Sequence, residues 1–203
     1  MGIENQIKNV SKIENQINQY FSNVATNFAV LQTRTPVIIQ IAQAWIDCLT
    51  KGNKVIFCGN GGSAADSQHL AAELMGRYKI DRKPMPALSL TTDTSALTAI
   101  GNDYGYEHVF SRPLKGIGNT GDVLVGISTS GNSKNVINAF DVAKGKGIIT
   151  VAFTGNKGGT MKQIADYALN VPSDETNHIQ EMHIACGHLI CGLVENHFFG
   201  NAK

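Results

Sequence analysis

Five short apolar runs, separated by stretches of helical periodicity, limit what this chain can fold into. They are "KVIFCG" (54–59), "PALSLTT" (86–92), "DVLVGIS" (122–128), "IITVAFTG" (148–155) and "YALNV" (167–171). Their apolar character is nearly continuous rather than alternating, as expected of strands covered on both faces. Helical segments lie between them at 64–77, about 94–101, 106–115, 133–144 and 159–165. Strands alternating with helices predict βαβ units and a parallel sheet. The expected fold class is therefore α/β: a doubly wound, five-stranded parallel sheet flanked by helices. Two helices precede the first strand, over 3–24 and about 28–51, and a long one, "TNHIQEMHIACGHLICGLVENHFF" (176–199), closes the chain. The 203 residues suit one domain, with a helical extension over 1–52 and an α/β core over 53–203. The closing helix is apolar on most sides, so it is either deeply buried or packed against another subunit.

Composition narrows the function classes. A net charge of +1 leaves no basic footprint for nucleic acid. The longest apolar runs fall well short of the ~18 residues a membrane span needs, and the polar N-terminus lacks the apolar core of a signal peptide. Cys48, Cys58, Cys186 and Cys191 form no CxxC pair and read as reduced, mostly buried thiols of a cytoplasmic protein.

In doubly wound folds ligands bind beyond the carboxyl ends of the strands. Two such ends are unusual here. "CGNGGSAAD" (58–66) carries Asn60, Gly61 and Gly62, and "GISTSGNSKN" (126–135) carries Ser128, Thr129, Ser130 and Ser133. Each joins a strand to a helix, where free amides and the helix dipole stabilise a phosphate. Such residues also serve as ordinary turns and N-caps. A tight turn needs one or two of them, however, not four hydroxyls within six residues, and a phosphate monoester such as a sugar phosphate accounts for the excess. No GxxxxGK[ST] motif is present, which disfavours nucleotide hydrolysis.

The helix leaving the first loop carries His69 and Glu73, four residues apart on one face. His69 lies roughly 9 Å along the axis from Ser63, about the reach of a short sugar chain. These groups can move protons, or they can hold a metal together with polar residues of the closing helix, Gln180, His183 and His188. Gln180 and His188 are eight residues apart, roughly 12 Å along a straight helix. One ion therefore touches both only if that helix kinks or if the two come from different subunits.

"CGNGGSAADSQHLAAELMGRYK", "AIGNDYGYEHVFSRPL", "GDVLVGISTSGNS" and "IQEMHIACGH" resemble the sugar isomerase (SIS) domain family, and more narrowly its phosphoheptose isomerases. The resemblance covers nearly the whole chain. It implies a flavodoxin-like SIS fold and a cytoplasmic homotetramer with active sites between subunits. It implies conversion of sedoheptulose 7-phosphate to D-glycero-D-manno-heptose 7-phosphate, on the way to ADP-heptose and lipopolysaccharide core. It also implies one zinc per subunit on His69, Glu73, Gln180 and His188, with Glu73 and His188 as the acid/base pair. Substrate contacts fall on Asn60, Gly61, Gly62, Glu73, Asn102, Asp103, Ser128, Thr129, Ser130, Ser133 and Gln180. Asn177 stands where some relatives carry an acid. The competing expectation is a non-catalytic SIS regulator that binds phosphosugar and associates with the replication initiator. That relative lacks the acid and the histidine found here at Glu73 and His188.

Overall fold

The structure is a computed structural model that describes residues 3–200. Strands β1 (Val55–Gly59), β2 (Ala87–Ser89), β3 (Val123–Ser128), β4 (Ile149–Thr154) and β5 (Tyr167–Asn170) form one sheet. Its order is β2-β1-β3-β4-β5, and every neighbouring pair is parallel. The order reverses between β1 and β3, whose ends lie side by side, with Gly59 opposite Ile127. The two hydroxyl- and glycine-rich loops thus meet at the switch point of the doubly wound sheet.

Successive strand residues face opposite ways. On one face Val55, Phe57, Val123, Val125, Ile127, Val151 and Phe153 pack against α2 (Thr35–Thr50), α3 (Gly62–Met75) and α8 (Thr176–Phe199). On the other, Ile56, Cys58, Leu124 and Ala152 meet α5 (Ser111–Ile117), α6 (Lys134–Gly145) and α7 (Gly159–Ile164). Both faces are covered, which is why the strands read as unbroken apolar runs.

Several boundaries differ from those expected. The first helix, α1, runs unbroken over Ile3–Leu31, and the break falls at a 3-10 turn, Gln32–Arg34. No glycine or proline interrupts α1, while Pro36 starts α2 near its first turn, where a missing N–H costs nothing. The second strand is only three residues long, and "LTT" leaves the sheet beyond it. The helix expected over 106–115 divides into a 3-10 turn, Tyr106–His108, and the short α5. Before it, α4 extends to Tyr104 (Thr94–Tyr104) and ends at Gly105, whose φ of 91° a side chain would strain. All four cysteines are free and buried, and burial pushes the Cys58 thiol up to about 12.

His183 is fully buried on α8 with both ring nitrogens unpartnered among the described residues, and burial pushes its pKa down to about 4. A histidine held neutral by the fold contributes stability above its unfolded pKa of about 6.5, and that contribution is lost as pH falls toward 4. Relative to His183→Gln, the wild-type chain is expected to lose about 3 kcal/mol between pH 7 and pH 4. Paired chemical denaturations at the two pH values read this difference, and an equal pH response in both proteins would place a charged His183 within the fold's tolerance.

Candidate active site

The site is built on two helices packed side by side. Gly187 of α8 faces Leu70 of α3 so closely that a Cβ there would lie 2.5 Å from the leucine side chain. The small residue lets the two axes approach, and polar side chains then meet on either side of it. Toward the C-terminal end of α3, His188 Nε2 lies 2.9 Å from His69 Nε2, which lies 3.1 Å from Glu73 Oε1. One ligand atom from each residue falls within 4.8 Å of the others. His69 is exposed, while Glu73 and His188 are half-buried.

This donor set fits a metal ion. A single proton on His69 Nε2 serves one of its two neighbours, not both. An ion at the point where the three lone pairs converge satisfies all of them. Two imidazoles and a carboxylate with a position left open is a donor set that zinc takes in catalytic sites.

Gln180 lies elsewhere in the same chain. Its amide sits against Gly62, where a Cβ would meet Nε2 at 2.5 Å. α8 is continuous over Thr176–Phe199. Its rise carries Gln180 to the N-terminal end of α3 and His188 to the three-residue cluster, about 12 Å apart. Within one chain the cluster is therefore His69, Glu73 and His188, and Gln180 belongs with the loop.

The hydroxyls expected on the second loop do converge. Ser128 Oγ lies 2.8 Å from Ser133 Oγ and 3.4 Å from Ser130 Oγ. Thr129 offers its carbonyl to the Gly155 N–H, tying the loop to the end of β4. The two loops are locked together by a reciprocal amide pair: Asn60 Nδ2 donates to Asn135 Oδ1 at 2.9 Å, and Asn135 Nδ2 donates back to Asn60 Oδ1 at 2.8 Å. Gly61 precedes α3 with φ of 56°, a backbone turn that favours glycine, and the Ser63 and Ala64 N–H groups donate to the Asn60 and Gly61 carbonyls. Asn102 and Asp103 lie exposed near the end of α4, where Asn102 Nδ2 donates to Asp103 Oδ1. Their described side-chain bonds reach neither loop. The neighbouring Tyr106 does, donating to Asn60 Oδ1 at 3.2 Å.

Sequence reasoning missed several residues around this site. Asn135 is buried, and its partner lies 75 residues away. Asp66 shares the α3 face of Gly62, His69 and Glu73 by helical spacing. Its Oδ2 is buried without a partner among the described residues, and burial pushes the carboxyl up to about 6. At the far side of His188, Tyr78 stacks on the imidazole, with centroids 5.7 Å apart and planes inclined by 20°. The helical spacing of Asp66 was the one available signal; the other two contacts join distant segments that no local pattern links.

Known proteins resemble this chain over nearly its whole length. The family model for the SIS domain matches residues 19–155. A phosphoheptose isomerase of Akkermansia muciniphila is 58% identical over 93% of this chain and 97% of its own length. One of Rhodospirillum rubrum is 51% identical over 91% and 98%. The solved structure of a phosphoheptose isomerase from Neisseria gonorrhoeae superposes with a TM-score of 0.86 at 42% identity, covering 91% of this chain and 99% of that one. The chain therefore belongs to the SIS domain family and, within it, to the phosphoheptose isomerases.

Proposed function

We propose that the chain is an aldose–ketose isomerase that converts sedoheptulose 7-phosphate to D-glycero-D-manno-heptose 7-phosphate. The observation that carries this reading is the arrangement along α3. Phosphate-type loops lie at its start, and Glu73 and His188 meet His69 about two to three turns on. The phosphate sits on the Ser128, Ser130 and Ser133 hydroxyls and the amides of Gly61 and Gly62. The carbonyl end of the sugar then reaches the cluster. The names and near-complete coverage of the relatives support the substrate.

Isomerisation moves a proton between adjacent carbons through an enediolate. Glu73 takes the proton from C1 of the ketose and returns it to C2. His188 donates a proton to the C2 oxygen and accepts one from the C1 hydroxyl. Glu73 has two oxygens for two tasks: Oε1 faces His69, leaving Oε2 for the substrate proton. Zinc bound by His69, Glu73 and His188 would supply Lewis-acid polarisation of the carbonyl. Asn60, Asn102, Asp103, Thr129 and Gln180 serve the sugar hydroxyls and the loop. The competing regulator reading lacks a use for the acid and the histidine together.

Purified chain is expected to turn over sedoheptulose 7-phosphate, to lose activity on chelation and to regain it with zinc. No turnover in any state, with phosphosugar still bound, would move the chain to the regulator class. Activity indifferent to chelation would remove the metal and keep the proton-transfer pair.

The whole chain acts as one unit and works in the cytoplasm as a homotetramer. No helix among the described residues is long and apolar enough to cross a membrane. Val10, Ile13 and Ile17 expose an apolar row on α1 at spacings of three and four, the signature of a helix seam. A groove of about 520 Å³ between α1, α2 and α8 is lined by Phe28, Ile38 and Leu189. A second copy covers these surfaces and brings its Gln180 to the cluster as the fourth ligand. Mixing Gln180→Ala with His69→Ala subunits should then restore turnover that neither variant has. Failure of the mixed protein, with mixing verified by mass, would remove the partner's Gln180 from the ligand set and leave His69, Glu73 and His188 of one subunit.

A further inference from the structure

We propose that Tyr78 is a positioning residue for His188: a buried clamp folds the segment after α3 back over α8, and this sets the Tyr78 ring as the wall that fixes the imidazole plane. The inference rests on the reading of His188 as a proton-transfer and metal-binding group. It begins with Glu195, two turns beyond His188 on α8. Both carboxylate oxygens are occupied by the returning segment. Oε1 accepts from the Tyr78 N–H at 3.0 Å and from Arg82 Nε at 2.9 Å; Oε2 accepts from the Lys79 and Ile80 N–H groups at 2.8 and 3.0 Å. Arg82 Nη1 donates to the carbonyls of Leu74, Gly76 and Lys83, and Nη2 to that of Glu73. The pair therefore ties the C-terminal turn of α3, which carries Glu73, to the C-terminal part of α8, two turns beyond His188.

The consequence for His188 is specific. With its amide held by Glu195, Tyr78 projects its ring across Gly192, where a Cβ would already stand 3.2 Å from the ring edge. The ring reaches His188 and lies nearly parallel to it. Among the described residues the imidazole has one hydrogen-bond partner, His69. Metal-binding histidines are normally oriented by a hydrogen bond on their second nitrogen. Here a flat aromatic face does that work. Rotation of the imidazole about its bond to Cβ, which would swing Nε2 away from His69 and Glu73, runs into the stacked ring. Because the stacking face acts, the phenol hydroxyl is dispensable.

The test uses the full chain and three variants, Tyr78→Phe, Tyr78→Leu and Tyr78→Ala. Two readouts are taken: steady-state kinetics, and zinc affinity by competition with a chromophoric chelator. Loss of an orienting partner typically costs about 10–100-fold in metal affinity or activity. Tyr78→Leu, which keeps bulk but not a flat face, is expected to bind zinc about tenfold more weakly and to lose kcat in the same range, with KM within about twofold. Tyr78→Phe should restore both. Wild-type zinc affinity and kcat in the Leu variant would overturn the proposal, and so would a Phe variant as impaired as Leu. If Ala unfolds, Leu and Phe still decide. Should the wild-type chain turn over no phosphosugar, the functional reading fails, while the zinc affinities alone still judge the role of Tyr78.

Discussion

Glu73→Gln is expected to lower kcat by about 10²–10⁴-fold, the usual contribution of a positioned general base. The amide is nearly isosteric, so the fold and the phosphate loops should persist, and KM should change little. The substitution also removes one charged metal ligand, so bound zinc must be measured in the same preparation. A variant that retains zinc but loses turnover isolates the proton-transfer role. Exchange of substrate hydrogen with deuterated solvent sharpens this, because a base that takes a proton from C1 exposes it to exchange. In the variant this exchange should fall together with kcat. A rate within a few-fold of wild type, with exchange intact, would assign the base elsewhere; Asp66, on the same face of α3 with a buried oxygen that has no partner among the described residues, would then be the next candidate.

The second large effect concerns stability. Arg82 and Glu195 are each about 1% exposed at the side chain. Burial alone would raise the Glu195 carboxyl, but three backbone N–H groups and the Arg82 guanidinium hold it below the ordinary carboxylate value. Removing one partner of a buried ion pair leaves an uncompensated charge and costs about 3–5 kcal/mol. Glu195→Ala should cost this much, a large part of the 5–15 kcal/mol that holds a typical domain together. It also orphans the three amides. Glu195→Gln, which keeps acceptors for some of them, should cost less. Because the folded carboxyl is depressed, its contribution is present above the unfolded pKa and lost as pH falls through the folded one. The gap between wild type and Glu195→Ala should therefore narrow in acid. Urea denaturation near neutral pH and in acid measures both effects. A loss under about 1 kcal/mol would mean that the segment anchors itself without the clamp.

The sequence made the sheet legible because every strand is buried on both faces, so local composition carried the signal. Helix limits were less legible where tertiary contacts decide them. Residues 25–27 suggested a break between the first two helices, yet nothing in the backbone chemistry forbids α1 from continuing to Leu31. At the site, the glycine and hydroxyl loops and the His69–Glu73 spacing were readable because each lies within one short segment. Asn60–Asn135, Tyr78–His188 and the Glu195 clamp were not, because each partner is ordinary in its own segment and acquires meaning only when distant segments meet. Gln180 shows the same limit from the other side. Its separation from His188 follows from helix rise, but its seat against Gly62 depends on how two helices pack.

The straight run of α3 from the phosphate loop to Glu73 gives the proposed enzyme a gauge. Gly62 and His69 are seven residues apart on one rigid rod, about 10 Å of axis that no loop motion shortens. With the phosphate and carbonyl placed as proposed, a sugar phosphate with fewer carbons would seat one or the other, but not both. Selection by chain length then comes from the backbone itself, and changing it would require a different helix rather than a different side chain.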